Sequence, residues 1–221
     1  MRIGLISDTH LPQLLHSMDE LGPETGAALR GVDLILHGGD ITVPAVLDWC
    51  EQFAPVLAVR GNNDIFDDPR LAEHQFLDVE GFRIGLAHEL RPESRPIGEI
   101  LAASLNDEWV DVLIGGDTHV ERLEYRDDVL LINPGSPSLP HHLSTRLGAI
   151  GMLTVTPHRL EAEIVALGPS EGHRNPTRPQ HVVVEYGHVV EASLDGHDIS
   201  AEEFLKAPHE RVVPTVELNG A

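Results

Sequence analysis

Five short segments of the sequence carry carboxylate, imidazole and amide side chains that can bind metal ions. Each segment follows a short apolar run that is expected to be a β-strand. Oxygen and imidazole ligands without thiolates are typical of Mn, Fe, Zn or Mg centres and not of structural zinc sites. The five segments are Asp8-Thr9-His10, Gly38-Gly39-Asp40, Gly61-Asn62-Asn63-Asp64, His88-Glu89 and Gly116-Asp117-Thr118-His119.

Taken one at a time, these segments are weak signals. An aspartate after a strand is more often a turn former or a helix N-cap than a ligand, and a lone histidine such as His88 is more often a strand-end residue. Their repetition after five strands favours metal ligands over turn formers and strand-end residues, because the carboxyl ends of strands in layered α/β proteins meet at one crevice. The sequence therefore predicts one metal site built from five separated segments.

The elements that must position this site are short apolar strands with helical patterns between them. The predicted strands are Arg2–Ser7, Val32–His37, Val56–Arg60, Phe82–Ala87 and Val112–Gly115. The predicted helices are Val43–Phe53 with Thr42 as its N-cap, Ile97–Leu105 after Pro96, and a weaker one over Glu24–Arg30. Strands that alternate with helices are typical of α/β proteins with parallel strands.

From Gln75 onward the pattern changes to paired strands with tight turns at Glu80-Gly81, Asp127-Asp128 and Thr156-Pro157-His158. Strands that begin parallel and continue as hairpins predict an α/β fold of two packed mixed β-sheets flanked by helices, a four-layer αββα sandwich.

The domain organisation is predicted as a main domain over residues 1–167, a linker over 168–180 and an appendage over 181–221. The appendage is expected to contain a hairpin around Gly187, a short helix capped by Ser200 with Glu203, and a tail. We expect it to dock on the main domain, either over the crevice or between two subunits of a homo-oligomer.

The amino-acid composition limits the kinds of molecule that the protein is expected to bind. The formal net charge is −21, from 36 acidic and 15 basic side chains, which argues against an extended surface for nucleic acid or anionic lipid. A small anionic substrate stays compatible, because bound divalent ions reverse the local charge. No apolar run approaches the ~20 residues that a membrane span needs, and a single cysteine, Cys50, permits no internal disulfide. We therefore expect a cytoplasmic protein without a membrane partner.

In their order and spacing, the five segments resemble the motifs of the calcineurin-like metallophosphoesterases, in particular the small bacterial and archaeal phosphodiesterases of that superfamily. The motifs are Asp-x-His, Gly-Asp, Gly-Asn-x-Asp, an isolated His and Gly-x-x-His, followed by Ile132-Asn133-Pro134-Gly135-Ser136, and the resemblance covers roughly residues 1–167. It implies the same two-sheet sandwich. It also implies one metal on Asp8, His10 and His119, a second on Asn62, His88 and Asp117, and Asp40 bridging the two.

The sequence departs from the family pattern at two positions. Asp117 stands where the family has the first histidine of Gly-His-x-His, and Asn63 stands where it has His or Cys. Asn63 and Asp64 are the candidate catalytic residues of this loop. A neutral amide cannot act as a general acid, so Asn63 is not expected to protonate the leaving group. Asp64 is expected only to orient its neighbours. His141 and His142 are weaker candidates for substrate contact, with a solvated histidine pair as the alternative.

The resemblance implies a phosphodiesterase acting on a small phosphate ester, in which a hydroxide bridging two divalent metals attacks phosphorus in line. The metals are expected to be Mn²⁺, with Mg²⁺, Fe²⁺, Ni²⁺ and Zn²⁺ as alternatives. Two other functions remain open: a phosphomonoesterase or nucleotide phosphatase on the same site, and a non-catalytic scaffold of the same fold. The retained ligand set favours catalysis over the scaffold.

Overall fold

A computed structural model describes residues 1–11, 21–90, 94–143, 147–169 and 174–213. In these ranges the strands are β1 (Arg2–Ile6), β2 (Leu34–His37), β3 (Val56–Val59), β4 (Leu71–Ala72), β5 (His74–Val79), β6 (Phe82–Ala87), β7 (Val112–Ile114), β8 (Arg122–Arg126), β9 (Val129–Asn133), β10 (Ala149–Thr156), β11 (Arg159–Ala166), β12 (Gln180–Glu185), β13 (His188–Leu194) and β14 (His197–Asp198). The helices are α1 (Gly22–Ala28), α2 (Pro44–Cys50), α3 (Ile97–Leu105) and α4 (Ala201–Phe204).

The strands form two mixed sheets. The nine-stranded sheet has the order β14-β13-β12-β11-β10-β1-β2-β3-β4, and the five-stranded sheet has the order β5-β6-β7-β9-β8. Strands β1 to β4 are parallel in the first sheet, and β6, β7 and β9 are parallel in the second. The carboxyl ends of each parallel set therefore lie at one edge of its sheet, which is where the predicted ligands follow the strands.

Alternate residues of each strand divide between two apolar layers, as the period of a β-strand requires. Leu34 and Leu36 of β2 pack between the two sheets, in a core shared with residues of β6, β7 and β9. Ile35, on the other face, packs under α1 and α2. Helix α3 covers the outer face of the second sheet. The order helix, sheet, sheet, helix confirms the predicted sandwich of two mixed sheets.

The helices match the sequence expectations in place but not always in length. Helix α3 has the predicted bounds, whereas α2 ends at Cys50 and not at Phe53. The prediction that Thr42 caps α2 is wrong. Val43 is the N-cap and makes no side-chain cap bond, while the Thr42 hydroxyl donates to the carbonyl of Leu11. Among the described residues, no helix is long and apolar enough to span a membrane.

All four predicted hairpin turns are present, between β5 and β6, β8 and β9, β10 and β11, and β12 and β13. Strand β12 pairs with β11 from Gln180 onward, so the C-terminal hairpin extends the first sheet. Ser200 accepts a hydrogen bond from the backbone N–H of Glu203 and caps α4 as predicted. The Glu203 carboxylate accepts instead from Lys206 and from the N–H of Val212, so the second half of the predicted capping box is replaced by these contacts. The expected tail beyond residue 213 lies outside the described residues, and the division into domain, linker and appendage stays a prediction.

Candidate metal centre

The candidate ligands lie on the loops that leave β1, β2, β3, β6 and β7 at their carboxyl ends. Backbone hydrogen bonds hold these loops together. The N–H of Asp8 donates to Gly39 O at 2.9 Å, and that of His10 donates to Asp40 O at 3.0 Å. Within the second sheet, Gly116 N donates to His88 O at 2.9 Å. Between the two sheets, Asp117 N donates to both carboxylate oxygens of Asp8, so the loops of both sheets meet at this point.

Five of the seven candidate ligands have a left-handed backbone conformation, which non-glycine residues rarely adopt. Such a conformation costs of the order of 1–3 kcal/mol and persists only where the surrounding structure enforces it. Concentrated strain of this kind marks a functional site. The residues and their φ angles are Asp8 (55°), His10 (49°), Asp40 (54°), Asp117 (68°) and His119 (58°).

The first group of candidate ligands is Asp8, His10 and His119, which are all buried and offer ligand atoms within 4.8 Å of one another. The Nε2 atoms of the two histidines are 3.0 Å apart, and His119 Nε2 is 3.7 Å from Asp8 Oδ1. His119 Nδ1 must carry the proton, because it donates to the carbonyl of Leu139 at 3.0 Å. In the neutral ring Nε2 therefore presents a lone pair to His10, an arrangement that suits a shared cation.

The second group is centred on His88. Its Nδ1 donates to Gly38 O at 2.7 Å, so in the neutral ring the lone pair of Nε2 faces the site. Around Nε2 lie Asn62 Oδ1 at 3.1 Å, Asp40 Oδ1 at 3.6 Å and Asp117 Oδ1 at 3.8 Å. One nitrogen and three oxygens of this kind could hold a hard divalent ion.

Asp40 lies between the two groups. Its Oδ2 is 3.4 Å from His10 Nε2, and its Oδ1 is 3.6 Å from His88 Nε2. Asp8 also belongs to both groups, because its ligand atom lies within 4.8 Å of those of Asp40 and His88. Two buried carboxylates thus lie between the two sets of imidazoles.

Burial sets the electrostatics of the centre. Desolvation raises the pKa of Asp8 well above its usual range, despite the hydrogen bonds it accepts. Desolvation also lowers the pKa of His10, and it lowers the pKa of His119 to about 4. At neutral pH both rings are therefore unprotonated, which is the form that binds metal. Carboxylates and neutral imidazoles enclosed in this way fit divalent cations, which would compensate the buried negative charge.

Asn63 donates two hydrogen bonds to the Asp40 carboxylate. Its backbone N–H donates to Oδ1 at 2.9 Å, and its side-chain amide donates to Oδ2 at 2.7 Å. Asn63 therefore orients Asp40 through hydrogen bonds, which is a role that an amide can perform.

Asp64 accepts three backbone N–H bonds and so ties the loop after β2 to the loop after β3. Its Oδ1 accepts from Ile41 at 2.8 Å and from Thr42 at 2.6 Å, and its Oδ2 accepts from Gly61 at 2.8 Å. The carboxylate thus fixes the backbone that directly follows Asp40 and the backbone that directly precedes Asn62.

His141 and His142 lie against the first group of ligands. The His142 ring stacks on His119 with centroids 4.3 Å apart, and the backbone N–H of His141 donates to His119 O. The sequence prediction missed Glu121, a buried carboxylate whose Oε2 lies 2.7 Å from His141 Nε2. Only its position two residues after a candidate ligand could have drawn attention to it.

The loop after β9 braces the centre. Asn133 Nδ2 donates to Gly116 O at 2.8 Å, and Ser136 Oγ donates to Asp8 O at 2.8 Å. Ser138 Oγ donates to Thr9 O at 3.0 Å. These bonds explain the Asn-Pro-Gly-Ser run as a support for the strained ligand loops.

Comparisons with known proteins identify the family of this chain. The model of the calcineurin-like phosphoesterase superfamily domain matches residues 1–156. A probable metallophosphoesterase from Methanothermobacter thermautotrophicus is 36% identical over 174 residues, which are 76% of this chain and 94% of that protein. A phosphodiesterase from Methanocaldococcus jannaschii is 27% identical over 150 residues, 61% of this chain and 83% of the relative.

The fold is also shared with Vps29 of Chaetomium thermophilum, with a TM-score of 0.68 at 22% identity over 84% of this chain and 98% of that one. The family match spans the strands and loops that carry all seven candidate ligands. The chain therefore belongs to the calcineurin-like phosphoesterase superfamily, whose members depend on metal ions.

Proposed function

We propose that this protein is a phosphodiesterase whose centre holds two divalent metal ions. The observation that carries the proposal is the convergence of two groups of ligand atoms on a buried, strained set of loops. When bound, such ions supply an activated water and stabilise charge on the phosphoryl oxygens during an in-line displacement. The ligands in this proposal are Asp8, His10, Asp40, Asn62, His88, Asp117 and His119.

The protein contributes preorganised ligands. The carbonyl of Gly38 orients His88, and that of Leu139 orients His119, so both rings present Nε2 without rearrangement. Asp40 is held by Asn63 in contact with histidines of both groups. Fixed ligands reduce the reorganisation that binding and reaction would otherwise require.

The charge of the site favours a diester over a monoester as the substrate. With Asp8, Asp40 and Asp117 ionised, two divalent ions would leave the site one positive charge, which matches the single negative charge of a diester, whereas a monoester carries up to two. The M. jannaschii relative that is named a phosphodiesterase supports the same choice. Three carboxylates and an amide among the ligands favour Mn²⁺ over Zn²⁺.

Asn63 limits the range of leaving groups. Its amide cannot donate a proton to a departing alkoxide, and its backbone N–H and its side-chain Nδ2 both donate to Asp40. We expect hydrolysis to be fast for leaving groups of low pKa and to slow steeply as that pKa rises.

Metal analysis combined with parallel assays tests the proposal. Protein purified without added metal is analysed for metal content, and then assayed on bis(p-nitrophenyl) phosphate and on p-nitrophenyl phosphate with and without EDTA. We expect two ions per chain, faster hydrolysis of the diester, and loss of activity with EDTA that Mn²⁺ restores. Faster hydrolysis of the monoester would establish a phosphomonoesterase instead, and bound metal without turnover of either ester would indicate a scaffold.

A further inference from the structure

A cavity of about 520 Å³ lies between β8 and the segment that follows α4. Val120 and Glu121, which line it, are the two residues after His119, and Ser94 lines it from the loop after His88. Its volume is typical of small-molecule sites. Glu121 Oε2 lies 2.7 Å from His141 Nε2, and the backbone N–H of His141 donates to His119 O. The cavity wall is thus joined to the first group of ligands through His141.

The lining is positively charged in a strongly acidic protein. Four of the chain's 15 lysine and arginine residues face this one cavity, together with the two carboxylates of Glu121 and Glu124. The lining thus carries two net positive charges when His209 is neutral, whereas the whole chain carries a formal charge of −21. The four cations are Arg122, Arg126, Lys206 and Arg211.

Arg211 is the unusual member of this set, because it is buried at 7% exposure. Its Nη1 donates to Leu123 O at 2.8 Å and to Gln180 Oε1 at 3.2 Å, and its Nε donates to Lys206 O at 3.1 Å. Its guanidinium also lies over the Phe204 ring, 4.2 Å from the centroid. All of these partners are neutral, and within the described ranges no carboxylate forms an ion pair with Arg211.

The other cations of the lining form ion pairs with carboxylates. Glu124 pairs with both Arg122 and Arg126, and Lys206 Nζ is 2.6 Å from Glu203 Oε2. Burial lowers the pKa of Arg211 to about 10, so the side chain is still charged at neutral pH. The carboxylates of Glu124 and Glu203 offset the effect of burial in part. A buried cation whose hydrogen bonds all go to neutral groups is still costly, and an anion in the cavity would compensate it further.

We propose that this cavity binds a second anionic group, a phosphate or a carboxylate, of the compound whose diester occupies the metal centre. The hydrogen bonds above use Nε and both N–H groups of Nη1, so Nη2 is the atom of Arg211 that can donate to an oxygen of either group. This inference rests on the proposed phosphodiesterase function and names its substrate class: diesters that carry a further anionic group on the part that is not cleaved. Lys206 and Arg211 lie beyond residues 1–156, so the cavity depends on a segment outside the family match.

A matched pair of substrates tests the proposal in the intact metal-loaded protein. One is thymidine 5′-(p-nitrophenyl phosphate), and the other is the same compound with a 3′-phosphate. We expect the 3′-phosphate to lower KM about tenfold, which corresponds to one charge-assisted contact. The advantage should shrink in Arg211→Gln, recover in part in Arg211→Lys, and shrink less in Lys206→Gln. Arg83→Gln, at an exposed ion pair with Glu108, should keep the full KM ratio.

A direct binding measurement separates failure of this inference from failure of the proposed function. Lys206 is the only lysine, so reductive ¹³C-methylation labels it and the N-terminal amine alone. Thymidine 3′,5′-bisphosphate should shift the Lys206 signal in the wild-type protein, with weaker binding in Arg211→Lys. If both diesters are hydrolysed with equal KM, or if the bisphosphate leaves the Lys206 signal unmoved, the cavity is not an anion site, whatever the outcome of the assays on activity.

Discussion

Asp40 is the residue on which both halves of the centre depend, because its two oxygens approach His10 in one group and His88 in the other. We expect Asp40→Ala to lose both metal ions and to lower activity by about a thousandfold or more, since a shared ligand cannot be removed from one ion alone. Metal content per chain measures this directly. Asp78→Ala, at an exposed carboxylate of β5, is the control. Retention of both ions in Asp40→Ala would show that Asp40 is not shared.

Asp117 places a carboxylate where the family pattern has an imidazole. With Asp8, Asp40 and Asp117 ionised, two divalent ions leave the site one positive charge, whereas a histidine at position 117 would leave two. We expect Asp117→His to lower the pH at which activity rises and to increase activity with Zn²⁺ relative to Mn²⁺. Asp117→Asn removes the charge without adding an imidazole, so it should shift the pH profile alone. Unchanged metal preference and pH profile in both variants would remove Asp117 from the ligand set.

The elements position these side chains through the tight turns at the ends of the parallel strands. Gly39, the second residue after β2, has a φ of 97°, and an added Cβ would lie 2.6 Å from His88 Nδ1 and 2.9 Å from Gly61 N. The strand ends can approach each other this closely only because that position has no side chain.

We expect Gly39→Ala to destabilise the protein by about 2–4 kcal/mol, because it adds a steric clash to a left-handed backbone. Gly31→Ala is the matched control. Its φ is 76°, but nothing lies within 4 Å of an added Cβ, so it should cost only about 1 kcal/mol. Urea unfolding of both variants measures the difference. Equal losses of stability would mean that the contact with His88 adapts at no cost.

At the scale of the whole molecule, burial of neutral histidines makes folding sensitive to acid. Desolvation lowers the pKa of His37 to about 3, whereas the unfolded chain has a histidine pKa of about 6.5. Between these values the unfolded chain binds the extra proton, so stability is lost as pH falls below 6.5. Asp8 acts in the opposite direction, because its raised pKa lets the folded protein bind a proton more readily.

A His37 variant isolates this contribution. In metal-free protein between pH 6.5 and 5, we expect the unfolding free energy of His37→Gln to fall less steeply than that of the wild type. The difference should approach 1.4 kcal/mol per pH unit, the limit for one proton. His188→Gln, at an exposed position, should follow the wild-type slope. Parallel slopes for wild type and His37→Gln would show that His37 is not held neutral in the folded protein.

Local sequence patterns predicted most of the elements. Strand β6 and helix α3 have the predicted bounds, and β1, β3 and β7 differ by one residue at their ends. Helix α2 is shorter because its last predicted turn is replaced by a turn before β3. Two-residue strands such as β4 and β14 were not predicted, because pairing with a neighbour and not their own composition defines them.

The sequence by itself determined which residues could bind metal and that they would meet, because each candidate ligand follows a strand and parallel strands end at a common edge. Only the tertiary structure decided how they are oriented. The carbonyl that orients His88 is 50 residues away along the chain, and the contact that seats Arg211 against β8 joins residues 88 apart. Side-chain orientation depends on contacts of this kind between distant segments, and no local pattern of residue types records them.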